Sequence, residues 1–198
     1  NPSLGGWVSF CSLSLREYDK DVEIGVVSNF SKTLYNNSIL QPLKNTNINI
    51  DGLKLVEEDP TKFVLKYINH SRKLKLKSRC SDLIFDDIPK TLLNNTPDAV
   101  CFVPICNEIS YNFIFNMEKQ FKNVYYGIDL QGFIRKINSK GKITLKRDHV
   151  LIERLNNIIE LLDERLILKG SEEEMKLVSG KQDWNEIMNY FKQFNCIS

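Results

Sequence analysis

No apolar run in this chain approaches the roughly 20 residues that a membrane-spanning helix requires. The opening Asn1-Pro2-Ser3-Leu4-Gly5-Gly6 has neither the charged start nor the apolar centre of a secretory signal. Charge of one sign is also lacking. The 27 Lys and Arg stand against 25 Asp and Glu, a net charge of +2, too little to bring the chain to nucleic acid by charge alone. Histidine is scarce: His70 and His149 both stand away from any cysteine, so the ligand spacing of a structural zinc is missing. The cysteines (Cys11, Cys80, Cys101, Cys106, Cys196) are odd in number and show no tight spacing, which argues against a disulfide framework. Cys101 in an apolar strand and Cys11 on an apolar helix face are expected as buried, reduced thiols, the usage of a cytoplasmic protein. An initiator methionine is missing too, and residues upstream of Asn1 are expected. What is present, 198 residues of which 42% are hydrophobic and 26% charged, suffices for one globular domain or one domain with a small appendage.

Periodicity along the chain alternates between strand and helix. Gly5-Gly6 opens a helix to about Tyr18, with Val8, Leu13 and Leu15 apolar, and residues 22–28 read as a strand. Ser31 is positioned to cap a helix ending near Pro42, and the Asn-rich 45–51 reads as a turn. The pattern then changes. Residues 52–57, 62–68 and 73–79 are three strand-like runs with no helix between them, which predicts an antiparallel meander. Lysines at 73, 75 and 77 alternate with Leu74 and Leu76, a strand with one face in water that resists edge-to-edge pairing. From Pro97 the alternation resumes: strand 98–103, helix 107–120, strand 123–129, helix 148–162, strand 165–168, helices 171–179 and 183–194. Such alternation predicts a parallel sheet covered by helices. Asp148 and Ser171 stand where helix caps belong, and Glu174 completes a capping-box spacing.

Two polar motifs leave the carboxyl ends of apolar strands: Asp129-Leu-Gln-Gly-Phe-Ile-Arg135 and Leu168-Lys-Gly-Ser-Glu-Glu-Glu174. In open α/β sheets ligands sit beyond those ends, so the two motifs mark a candidate site. Both segments resemble the PfkB/ribokinase family of sugar and nucleoside kinases, and most closely its inositol kinases and archaeal sugar kinases. The resemblance runs along the chain in family order. Gly5-Gly6 is similar to the paired glycines that let backbone approach sugar hydroxyls. The strand run with Thr61, Phe63, Tyr67 and Arg72 is similar to the family's β lid. Val103-Pro-Ile-Cys-Asn-Glu108 is similar to a strand end that carries an acidic substrate contact, here Glu108. Ser171-Glu-Glu-Glu174, ending at Gly180, is similar to the Asn-x-x-Glu element, with Ser171 in place of the usual Asn.

The resemblance implies a ribokinase-like α/β fold, a parallel sheet sandwiched by helices with a small antiparallel β lid. Residues 1–45 would start the α/β core, 46–80 form the lid, and 81–198 continue the core. It implies ATP and Mg2+ as cofactors, a small polyol as partner, and a homodimer through the lid as an allowed assembly. Gly5, Gly6, Glu108 and Asp129 are the implied acceptor-binding residues; Asn107, Gln131 and Arg135 are candidates for substrate or phosphate contact. Glu174, through water, and Ser171 are implied in organising metal and phosphate. Each has a structural alternative. Glu108 could serve only as the acidic first turn of a helix, Arg135 could pair with Asp129 to stiffen its loop, and Glu174 could be only half of a capping box. The family's Asp-Thr-x-Gly-Ala-Gly-Asp motif, which supplies an anion hole and the catalytic base, is not in these residues and is expected beyond Ser198. The 198 residues alone are therefore expected to be inactive, with the last helix (Trp184, Ile187, Met188, Tyr190, Phe191) short of packing partners. The expected function is ATP-dependent phosphorylation of a hydroxyl on a sugar or cyclitol. The alternatives are a noncatalytic polyol-binding module and a nucleoside kinase of the same family.

Overall fold

Two units make up the chain, Asn1–Thr61 with Ser78–Asn95, and Lys62–Lys77 with Thr96–Ser198. A computed structural model describes residues 6–34, 37–68 and 71–194.

In the first unit, α1 (Trp7–Tyr18) is followed by β1 (Gly25–Ser31), α2 (Asn37–Lys44), β2 (Asn49–Val56) and the short α3 (Lys90–Leu93). The first strand starts at Gly25 because Asp19 Oδ1 accepts the N–H groups of Asp21 and Val22, holding the chain in a turn. β1 and β2 pair in parallel, with Ser28 opposite Leu53 and Ser31 opposite Val56. Val26, Leu40, Leu43 and Ile48 form the buried cluster between sheet and helix. Three expectations change here. The run at 52–57 is not the first strand of a meander, because it forms the end of β2 and pairs with β1. Ser31 closes β1 and its hydroxyl takes the Thr33 N–H, so the cap it forms is on a short 3-10 turn, Lys32–Leu34, and not directly on α2, which runs Asn37–Lys44. Cys11 is exposed, because α1 turns Ser9 and Ser12 inward, with Ser12 Oγ donating to the Val8 carbonyl.

The second unit carries a hairpin sheet, β3 (Lys62–Ile68) beside β4 (Ser71–Ser78). Their two-residue connection suits only antiparallel strands. The larger sheet is β5 (Ala99–Phe102), β6 (Tyr125–Asp129) and β9 (Leu166–Lys169), parallel throughout and ordered β5-β6-β9. Between them run α4 (Tyr111–Gln120), α5 (Gln131–Ile134), the small antiparallel pair β7 (Lys136–Ile137) and β8 (Ile143–Thr144), and α6 (His149–Leu162). α7 (Glu172–Ser179) and α8 (Trp184–Lys192) follow. A bridge between Lys75 and Lys142 joins β4 to the turn before β8.

Period-two alternation sends Phe102, Tyr126, Ile128, Leu166 and Leu168 to the buried face of the β5-β6-β9 sheet. That face meets the apolar sides of α4 and α6: Phe113 lies edge-on to Phe102, and Ile152, Leu155, Ile158, Ile159 and Leu162 are buried. The opposite face carries Ala99, Cys101, Tyr125 and Ile167, all exposed, so Cys101 is not the buried thiol expected. α8 buries Ile187 and Phe191, and Tyr190 donates to Asn156 Oδ1, while Trp184 at its start is left exposed.

Candidate functional site

The carboxyl ends of β5, β6 and β9 lie along one rim, and each continues into a segment read from sequence as functional. β5 leads into the loop 103–110, β6 into 129–135, and β9 into 169–174.

Glu108 shapes the first loop. Its carboxylate accepts the Ile105 N–H at 2.7 Å and the Cys106 N–H at 2.6 Å. This clamp delays α4 to Tyr111, with Ser110 as its cap. Glu108 therefore lies outside the first helical turn, and the reading of it as the acidic residue of that turn does not apply. Asn107 takes a left-handed conformation, φ 56°. Its N–H donates to the Gly132 carbonyl at 3.0 Å and its Nδ2 to the Arg135 carbonyl at 2.9 Å.

Asp129 is 5% exposed. One carboxylate oxygen accepts the Gln131 N–H at 3.0 Å, and the other accepts Lys169 Nζ at 2.6 Å. Lys169 stands directly opposite Asp129 in the parallel register of β6 and β9, and its carbonyl accepts the Leu130 N–H. The cation on Asp129 is thus Lys169, a residue of the second polar motif to which no role had been given; only strand register reveals the pairing. Arg135 instead donates Nη1 to the Ile105 carbonyl at 2.7 Å. Gly132 also went unread. A side chain there would meet the Pro104 carbonyl oxygen at 2.1 Å, so glycine is what lets the 129–135 segment lie against the first loop.

Ser171 and Glu174 form the full capping box. Glu174 Oε2 takes the Ser171 N–H at 2.7 Å, and Ser171 Oγ takes the Glu174 N–H at 3.3 Å. Asp148 caps α6 by accepting from Val150 and Leu151, and its hydrogen bond to Lys136, the largest of several causes, holds its carboxyl below the usual range. Arg154 donates to the Ile109 carbonyl, fastening α6 to the first loop. Beneath the rim, Tyr126 stacks on Phe102 and donates its hydroxyl to the Phe121 and Met117 carbonyls, at 2.6 and 3.1 Å. Burial pushes its phenol up to about 12.

Hydrogen bonds thus join Asn107, Glu108 and Arg135 around Ile105 and Gly132, Asp129 holds the Gln131 N–H and Lys169 in the adjoining turn, and Ser171 and Glu174 follow Lys169 after Gly170. Gly6 belongs to the first unit, where it precedes α1 with φ 92°. Gly5 lies outside the described residues. Among the described residues no three or more His, Cys, Asp or Glu side chains converge as a metal site, and no helix is long and apolar enough to cross a membrane.

No protein-family model and no curated protein matches the sequence. Solved structures match in shape. One described as a pyrophosphate-dependent kinase in the ribokinase family, complexed with a pyrophosphate analog and myo-inositol, superposes with a TM-score of 0.72 at 18% identity, over 97% of this chain and 62% of that one. The fold is ribokinase-like. A fructokinase from Vibrio cholerae O395, bound to fructose, ADP and calcium ion, gives a TM-score of 0.64 at 18% identity, covering 92% of this chain and 57% of that one. A PfkB protein from Polaromonas sp. JS666 gives 0.63 at 10% identity, covering 93% and 62%. The chain therefore spans about three fifths of the length of these ribokinase-like structures. A parallel core with a small antiparallel sheet agrees with the α/β reading of the sequence.

Proposed function

We propose that this chain is the acceptor-binding portion of an ATP-dependent kinase that phosphorylates a hydroxyl of a small sugar or cyclitol. The observation that carries the reading is the rim itself. Two loops at the carboxyl ends of neighbouring parallel strands are clamped together by Asn107 and Arg135, with Glu108 holding the first loop in shape, within a ribokinase-like fold. A polyol is recognised by fixed donors and acceptors, and these clamps hold backbone and side-chain groups still for that purpose.

The roles follow from the hydrogen bonds. Glu108 spends both oxygens on backbone N–H groups, so its main task is to shape the loop, with its remaining lone pairs open to an acceptor hydroxyl. Asp129 is buried and neutralised by Lys169, which suits a fixed hydrogen-bond acceptor better than a proton-abstracting base. Gln131 extends from the same turn. Magnesium keeps most of its ligands as water and phosphate oxygens. Glu174 fits an outer role, since Oε2 is held by the capping box and Oε1 is left to a metal-bound water. Phosphoryl transfer rests on positioning and on charge stabilisation at the moving group.

Pyrophosphate as donor is a second reading, favoured by two matched structures, one described as a pyrophosphate-dependent kinase complexed with myo-inositol and one as a pyrophosphate-dependent myo-inositol-1 kinase converted into a myo-inositol-3 kinase. The test uses the natural protein that carries this chain, with ATP or pyrophosphate, magnesium, and a panel of myo-inositol, hexoses, pentoses and nucleosides. Phosphate transfer to a sugar or cyclitol is expected. Polyol-induced thermal stabilisation without transfer from either donor would establish the noncatalytic module instead. Transfer confined to nucleosides would establish the nucleoside kinase.

A further inference from the structure

Arg135 is 7% exposed and reaches two separate segments. Its Nη1 donates to the Ile105 carbonyl at 2.7 Å. Its own carbonyl accepts Asn107 Nδ2 at 2.9 Å. Its guanidinium carbon lies 5.8 Å from the ring centroid of Phe63, on β3 of the hairpin sheet. A guanidinium can donate in its plane while stacking an aromatic ring on its face, a combination that an ammonium group cannot hold in fixed geometry.

The Ile105–Cys106 peptide is gripped from both sides. Glu108 takes its N–H, that of Cys106, at 2.6 Å and Arg135 donates to its carbonyl, that of Ile105. The orientation of this peptide fixes the two residues that follow, including Asn107 in its left-handed conformation. A displacement of Phe63 shifts the guanidinium, and the guanidinium holds one side of that peptide.

We infer that Arg135 is a positioning residue that ties the β3-β4 hairpin to the 103–110 loop, so that the placement of the hairpin sets the conformation of the loop and, through it, acceptor affinity. The last step rests on the kinase reading above; the mechanical tie does not. Phe63 thereby acts on the acceptor site with no contact to the acceptor.

The test measures amide hydrogen exchange and steady-state kinetics in the natural protein carrying Phe63→Leu, Arg135→Lys, or both. Phe63→Leu keeps an apolar side chain at a half-buried position, so it carries the test even where Arg135→Lys disturbs folding. In Phe63→Leu, the Ile105 and Cys106 amides should exchange about two- to fivefold faster, the loss expected for one partly buried cation–π contact. Acceptor KM should rise by a similar factor while donor KM and kcat stay level. The two substitutions together should have less than their summed effect. Faster exchange confined to 62–77, with 103–110 unchanged, overturns the proposal, and so does full additivity. Faster exchange at 105–106 with unaltered acceptor KM upholds the tie and instead removes the loop from the acceptor site, which counts against the functional reading alone.

Discussion

A methyl group at Gly132 would sit 2.1 Å from the Pro104 carbonyl oxygen and 2.7 Å from Pro104 Cβ. Backbone cannot yield as a flexible side chain does, so Gly132→Ala should force the 129–135 segment away from the 103–110 loop. A loss of about 1–3 kcal/mol in denaturant unfolding is expected, and an unchanged midpoint would show that the two segments separate freely. Tyr126 offers a second residue-level test. Its neutral phenol is buried and donates to two carbonyls, and its folded value lies near 12 against an ordinary value of 10. The unfolded chain therefore releases this proton first, and the stability held by the neutral phenol is present below pH 10 and lost as pH climbs toward 12. Tyr126→Phe should be less stable at neutral pH by about 0.5–1.5 kcal/mol. Its stability should also fall less steeply between pH 10 and 12 than that of the parent protein. Parallel pH profiles for the two proteins would contradict this account.

At the scale of one element, α7 separates structural from chemical use of the same carboxylate. Ser171→Ala removes the cap and should cost about 0.5–2 kcal/mol. Glu174→Gln keeps an oxygen able to accept the Ser171 N–H, because Gln serves in capping boxes too. The melting temperature should therefore stay near that of the parent, while the magnesium concentration giving half-maximal activity rises several-fold. A large loss of stability in Glu174→Gln would make the carboxylate structural alone. Caps such as Asp148 and Ser171 were legible in sequence because capping is local: one side chain and the next three amides decide it. β5, β6 and β9 were legible too, within a residue or two at their ends, whereas β7 and β8, two residues each, were not read at all. Pairing was not legible. Residues 52–57 carry the same alternation whether they join a meander or lie beside β1, and only the packing of α2 over Val26 and Ile48 decides between them. The Asp129–Lys169 pair was hidden likewise, since it exists only through the register of two strands 40 residues apart.

Over the whole molecule, the β5-β6-β9 sheet is covered on one face while Tyr125 and Ile167 are 56% and 47% exposed on the other. Parallel sheets ordinarily have both faces covered, and contiguous exposed apolar surface favours association. A polypeptide of these 198 residues should therefore self-associate in a concentration-dependent way, seen by light scattering, and Tyr125→Lys with Ile167→Lys should return it toward monomer. Scattering unaffected by the two lysines would place the contact elsewhere. The order of that sheet also bears on how the chain acquires its shape. β5, β6 and β9 lie side by side in the order in which they occur along the chain, each joined to the next through a helical segment between them. Each parallel pairing nonetheless closes a long span, Ala99 to Tyr125 and Tyr126 to Leu166, and such pairings form slowly because loop entropy is lost before contacts reward it. The rim should then assemble late, and in pulse-labelling experiments its amides should gain protection after those of the β3-β4 hairpin, whose strands adjoin in sequence.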